Sequence, residues 1–234
     1  MADKPRVKAP KQRHGTSSDA SSRRRLLTIA VAVTGVVLGF VAVAALLSLV
    51  REDGGPSEAD VRSTMEAAGC TLQSVKAQPG RHSLPPDGMG KWNTDPPTSG
   101  PHFGFNPNGS VGTVIWGAYD EPVQLARVIH NLEHGGIYIF YGDEVPEATV
   151  EQLLAFYDDH ENGTVLAPYP KLGDKIALGA WVTDDETGSE STGGKGQLAK
   201  CSTFDDDAFS TFFSAFQFNG PERFPSGSLL PGGV

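Results

Sequence analysis

EPVQLARVIHNLEHGGIYIFY, residues 121–141, is the stretch on which the fold reading turns. Leu125, Ile129 and Leu132 recur at i, i+4 and i+7, the spacing of one helix face. Pro122 suits a first helical turn and Gly135-Gly136 a C-terminal stop. The reading is a helix over Glu121–His134, with a strand through Val128–His134 as the alternative. Ile137–Tyr141 follows directly, β-rich and short, and reads as a buried strand.

Downstream, Pro146–His160 places Val150, Leu153, Leu154 and Tyr157 on one face of an amphipathic helix that Asn162-Gly163 stops. Val165–Ala167 and Lys175–Thr183 read as strands. Residues 184–196 are acidic and rich in Gly and Ser, and read as a solvated loop. Asp205 caps a last helix whose Phe209, Phe212, Phe213 and Phe216 form a core-facing stripe. Upstream, Ser57 with Asp60 reads as the N-terminus of a helix carrying Val61 and Met65, ended by Gly69 beside Cys70. Thr71–Gln78 and Val111–Trp116 read as strands. Between them, residues 80–109 hold twelve Gly or Pro in thirty, too many for a regular element. Helices and short strands without strict alternation predict an α+β domain, a short-stranded sheet with packed helices.

Charge is distributed unevenly. Net charge is -9 over 234 residues, which argues against a nucleic-acid partner. Eight of the 19 basic residues (Lys4, Arg6, Lys8, Lys11, Arg13, Arg23, Arg24, Arg25) lie in residues 1–25, against only Asp3 and Asp19. Leu26–Val50 then runs without a single charge. A bilayer core about 30 Å thick needs about 20 apolar helical residues, so this run is long enough to span. A cleaved signal peptide ending at Ala42-Val43-Ala44 is the alternative, but its apolar region would be unusually long. The positive-inside rule keeps the basic arm in the cytoplasm. The expected organisation is a basic arm (1–25), a transmembrane helix (26–50), a linker (51–57), an extracytoplasmic domain (58–224) and a flexible tail (225–234). The chain is thus expected in the cell membrane as a single-pass, membrane-anchored protein, its protein partners unspecified. On the exported side the two cysteines, Cys70 and Cys201, are expected to form a disulfide.

Four of the six histidines fall between residues 82 and 134. On a helix, His130 and His134 project from one face, the spacing by which one helix chelates a metal with two imidazoles. His102 ends Pro96-Pro97-Thr98-Ser99-Gly100-Pro101-His102, a loop stiffened by three prolines, which holds a ligand at low entropy cost. His82 is a candidate to complete the set. Met89, on the same Pro/Gly-rich stretch, is a candidate for copper(I). Ser99 with His102 could suggest a nucleophile and base, but the flanking prolines argue for a structural turn. His130-Asn131-Leu132-Glu133-His134 also matches H-x-x-E-H, in which two histidines hold zinc and the glutamate activates a water. No downstream third ligand stands out for such a hydrolase, Glu222 being the best guess. No G-x-S-x-G, P-loop or G-x-G-x-x-G occurs.

The PPTSGPH and HNLEHGG segments together resemble the domain-of-unknown-function family numbered 3105. Gly69-Cys70, His82, Ala167-Pro168-Tyr169 and Gly220-Pro221-Glu222 add to the likeness, which covers residues 60–224. The resemblance implies one bacterial, membrane-located domain and marks His102, Glu133 and the histidine pair as motif residues, without supplying a reaction. The expectation is that His102, His130 and His134 converge on one transition metal, copper or zinc, to bind or hand it over rather than turn over a substrate. Glu133 lies about 100° around the helix from His134 and is expected to orient an imidazole. A zinc hydrolase built on Glu133 and a metal-free cell-envelope interaction module are the alternatives.

Overall fold

Ile137–Tyr141 is the hinge of the sheet. Its residues alternate, Ile137 and Ile139 toward one apolar core, Tyr138 and Phe140 toward another. A strand buried on both faces needs layers on both sides. A computed structural model shows how the chain supplies them; it describes residues 55–82, 90–104, 112–183 and 193–233. The basic arm, the predicted membrane span and Met89 lie outside the described residues. Among those described, no helix is long and apolar enough to cross a membrane.

The order of elements is α1 (Glu58–Ala67), β1 (Thr71–Lys76), β2 (Gly117–Ala118), α2 (Leu125–Glu133), β3 (Ile137–Tyr141), α3 (Glu147–Asp159), β4 (Thr164–Pro168), β5 (Ile176–Val182), β6 (Lys195–Cys201) and α4 (Asp206–Phe216). One six-stranded sheet has the order β1-β6-β5-β3-β4-β2. β3 and β2 run parallel to β4, and the other pairs are antiparallel. The α+β class follows from this mixture, with four α-helices among the described residues. Gly55–Val234 makes up one compact unit.

α1, α3 and α4 cover one face. Ser57 accepts from the Asp60 N–H while the Asp60 carboxylate accepts from the Ser57 N–H at 3.0 Å, the reciprocal cap that the sequence predicts. Asp205 caps α4 by accepting from the Ala208 N–H at 2.9 Å. The phenylalanine stripe of α4 is buried against Val61, Met65, Ile139 and Leu178. Each such ring contributes about 1.5–3 kcal/mol on burial. α2 covers the opposite face, burying Val128, Ile129 and Leu132 against Trp116, Tyr138 and Trp181.

Several expectations need correction. Lys195–Cys201 is a strand inside the sheet, and the sequence reading placed none there. KGQLAKC has little intrinsic strand preference, and its place comes from pairing with β1 on one side and β5 on the other. The expected strand Val111–Trp116 is not found among the described residues 112–116, a two-residue strand, Gly117–Ala118, following them instead, and the helix starts at Leu125 rather than Glu121. The predicted flexible tail is docked. Leu229 is buried in the second core, and Gly232 and Gly233 pair with the Trp116 backbone.

Cys70 and Cys201 form a disulfide. Thr71 pairs with Lys200, so the cysteines occupy the next rung of the β1–β6 ladder.

Candidate metal centre

α2 is short, and nearly every side chain from Val128 to Glu133 is buried. Leu132 faces the core. Asn131 is spent on the backbone of Val114, accepting from its N–H and donating to its C=O, both at 2.9 Å. His130, Glu133 and His134 remain, and they stand at different azimuths. At 100° per residue, Glu133 falls about 60° to one side of His130 and His134 about 40° to the other. Which neighbours each meets is decided by the segments that arrive on either flank.

On the Glu133 flank comes the proline-rich loop. Trp92 donates to the Pro101 carbonyl at 3.0 Å, Ser99 accepts from the Gln78 N–H at 3.0 Å, and Tyr169 donates to Asp95. Ser99 is fully buried in that turn role. The loop carries His102 to zero exposure, with Nδ1 donating to the Gly100 carbonyl at 2.8 Å and Nε2 2.9 Å from Glu133 Oε2. His82 Nε2 meets the same oxygen at 3.1 Å. His130 Nδ1 donates to the Phe103 carbonyl at 2.6 Å. Both carbonyl contacts place a proton on Nδ1 and leave Nε2 as the atom of each ring that could coordinate a metal. Gly112 makes the His130 contact possible, because a Cβ there would lie 2.3 Å from His130 Nδ1 and 2.5 Å from the Phe103 oxygen.

On the His134 flank comes the chain after α4. Phe218 donates to the Gly135 carbonyl at 2.7 Å and Glu222 to the Glu133 carbonyl at 2.9 Å. Gly135 has φ 91°, and a Cβ there would strike the Phe218 backbone, so the sharp exit from α2 needs glycine. This docking brings Glu222 Oε2 to 3.3 Å from His134 Nε2.

Two groups of ligand atoms result, each with its members within 4.8 Å of one another: His82, His102, His130 and Glu133, and, separately, His130, His134 and Glu222. Metal bonds of about 2.0–2.2 Å place adjacent tetrahedral ligands about 3.3–3.5 Å apart, so closing the first group on an ion takes small side-chain shifts. The three histidines expected together are divided: His102 and His130 share the buried group, whereas His134 pairs with Glu222. Glu133 stands among the candidate ligands, contacting two imidazoles directly. His82, offered by the sequence as a fourth ligand, is the exposed member of the first group, its side chain 41% exposed.

The electrostatics of the site are set by burial and by the charges of its own side chains. Burial holds His130 at about 4, assisted by the charge of His102, and burial holds His134 at about 4, assisted by His130; both rings are therefore neutral ligands at pH 7. Burial pushes the Glu133 carboxyl up, but hydrogen bonds and charge from His102 and His82 outweigh it and keep it below the ordinary range. Its second oxygen, Oε1, is buried with no hydrogen-bond partner among the described residues. A buried carboxylate oxygen left bare costs about 1–3 kcal/mol or more, and a cation between it and the imidazoles would remove that cost.

The residues that sequence reasoning did not single out are those acting through the backbone: Gly112, the Gly100 and Phe103 carbonyls, and Asn131. Only Asn131, inside the motif, carried a signal. A comparison with curated proteins and with solved structures gives no match. The family model described as protein of unknown function (DUF3105) matches residues 85–227, which takes in His102, the α2 motif and Glu222 but begins after Cys70 and His82. With more than half of its length matched, the chain belongs to the DUF3105 family.

Proposed function

We propose that this is a single-pass membrane protein whose exported domain binds one transition-metal ion, copper or zinc, through His82, His102, His130 and Glu133. The uncharged run Leu26–Val50 and the basic arm before it support the anchor. The Cys70–Cys201 disulfide supports an oxidising compartment for the rest. The observation that carries the metal reading is the Glu133 carboxylate, buried, with Oε2 against two imidazole Nε2 atoms and Oε1 unpartnered among the described residues. With Nδ1 donating to Gly100, His102 Nε2 meets the carboxylate either as the second N–H of an imidazolium or through a cation held between them. Imidazole with one carboxylate suits zinc and copper(II), and copper(II) binds such sets more tightly.

The test is elemental analysis of the full-length protein purified without a polyhistidine tag. One metal per chain is expected, reduced to a small fraction in His102→Ala and in Glu133→Gln. Equal metal content in both variants and the wild type would refute the site.

A zinc hydrolase is the second reading, favoured by one observation: Glu222 joins His130 and His134, the pair of the H-x-x-E-H motif. With Glu133 as general base it predicts that Glu133→Gln retains the metal and loses hydrolysis.

A further inference from the structure

His130 belongs to both groups of ligand atoms, and the geometry limits how it can serve them. Its Nδ1 is committed to the Phe103 carbonyl, leaving one lone pair on Nε2. One lone pair binds one ion at a time. The inner group offers four protein ligands, a closed set of the kind that retains a metal; the outer group offers three, leaving a position open to an incoming donor. Burial is deepest at His102 and Glu133, whose side chains are 0% and 1% exposed, against 14% at His134 and 26% at Glu222; His82, at 41%, is the exposed member of the inner set, and Phe224, whose ring lies 4.4 Å from that of His134, is exposed at the surface. The imidazoles form a file: His102 and His130 have ring centroids 5.0 Å apart, and His130 and His134 4.6 Å.

We propose that His130, His134 and Glu222 form an outer station at which a divalent transition-metal ion is exchanged, and that His130, shared with the buried set, passes the ion inward. The inference rests on the metal reading of the buried set. In the outer station His134 and Glu222 hold the ion with His130, and a donor atom of the carrier that brings it fills the open position. Moving inward, the ion gives up His134 and Glu222 for Glu133, His102 and His82 while keeping His130. No redox change is needed, and the carboxylate charge surrendered by Glu222 is replaced by that of Glu133. The shared ligand makes the two stations mutually exclusive, so one chain holds one ion.

The test follows Zn2+ transfer from a weak coloured chelator to the full-length chain by stopped-flow absorbance. The wild type should take one zinc. Glu222→Gln and His134→Gln should load about tenfold more slowly, yet reach the same stoichiometry with similar final affinity, because the inner ligands are intact. His102→Ala should keep only a weakly held, rapidly exchanging zinc, and adding Glu222→Gln should remove it. Circular dichroism of each variant confirms that the fold persists. Wild-type loading rates in both outer variants would overturn the station and place entry at the half-exposed His82. Two zinc ions per wild-type chain would overturn the shared ligand. Undiminished affinity in His102→Ala, with binding abolished by Glu222→Gln alone, would overturn the buried-site reading instead and leave the outer set as the sole site.

Discussion

The Cys70–Cys201 bond offers the cleanest energetic prediction. The two residues are 131 apart in sequence and face each other on the rung next to Thr71–Lys200. Closing a loop of that size in the unfolded chain costs entropy worth about 5 kcal/mol in the chain-entropy model. Measured losses for native disulfides run from about 2 to 5 kcal/mol, because denatured ensembles retain structure. Domains commonly have only about 5–15 kcal/mol in hand, so the bond is a large share of the total. Its position adds to the effect. Cys70 follows α1 and Cys201 precedes α4, the two helices pack together, and both sulfur-bearing residues are buried in the core they share. Cys70→Ala/Cys201→Ala should unfold at a clearly lower denaturant midpoint than the wild type in non-reducing buffer, by about 2–5 kcal/mol. The dependence on denaturant should steepen, since an uncrosslinked unfolded chain exposes more surface. Reductant should lower the wild type toward the variant and leave the variant unchanged. A double variant that unfolds at the wild-type midpoint would refute the reasoning.

Gly112→Ala should weaken metal binding by about 10–100-fold, because its Cβ would break the contact that fixes the His130 tautomer; wild-type affinity by competitive titration would refute that role. Acid should destabilise the metal-free protein by burying imidazoles that prefer to be charged. His130 and His134 titrate at about 4 when folded and at about 6.5 when unfolded, so between those values the unfolded chain binds more protons. Stability is therefore complete above about pH 6.5 and lost as pH falls through about 4, on the order of 3 kcal/mol per ring. Thermal unfolding across pH 7.5–4 should show this slope, reduced in His134→Gln; equal slopes in the two proteins would contradict it.

The local elements of this chain are legible because their signals are local. A capping box, an Asp cap, a phenylalanine stripe and a run of β-prone residues act within a few residues of themselves. β6 was not legible. Its strand state is supplied by two neighbours that are remote in sequence, and its own residues barely prefer it. The docked tail is another case: Leu229 is one apolar residue in a Pro/Gly-rich stretch, and only the gap beside Trp116 gives it a place.

The candidate site divides in the same way. The sequence by itself determined which side chains could ligate, because histidines and a glutamate within one helical motif carry that chemistry wherever they fold. It also placed a stiff loop before His102. Only the tertiary structure decided how those side chains are grouped. Glu133 and His134 lean to opposite sides of His130 by the helix geometry alone, but nothing local says which flank receives His102 and which receives Glu222. That is fixed by the proline loop packing on one side and by the backbone after α4 bonding to the Glu133 and Gly135 carbonyls on the other. These contacts join residues about 30 to 90 positions apart, and a pattern of spacing along the chain carries no information about which distant segments will meet.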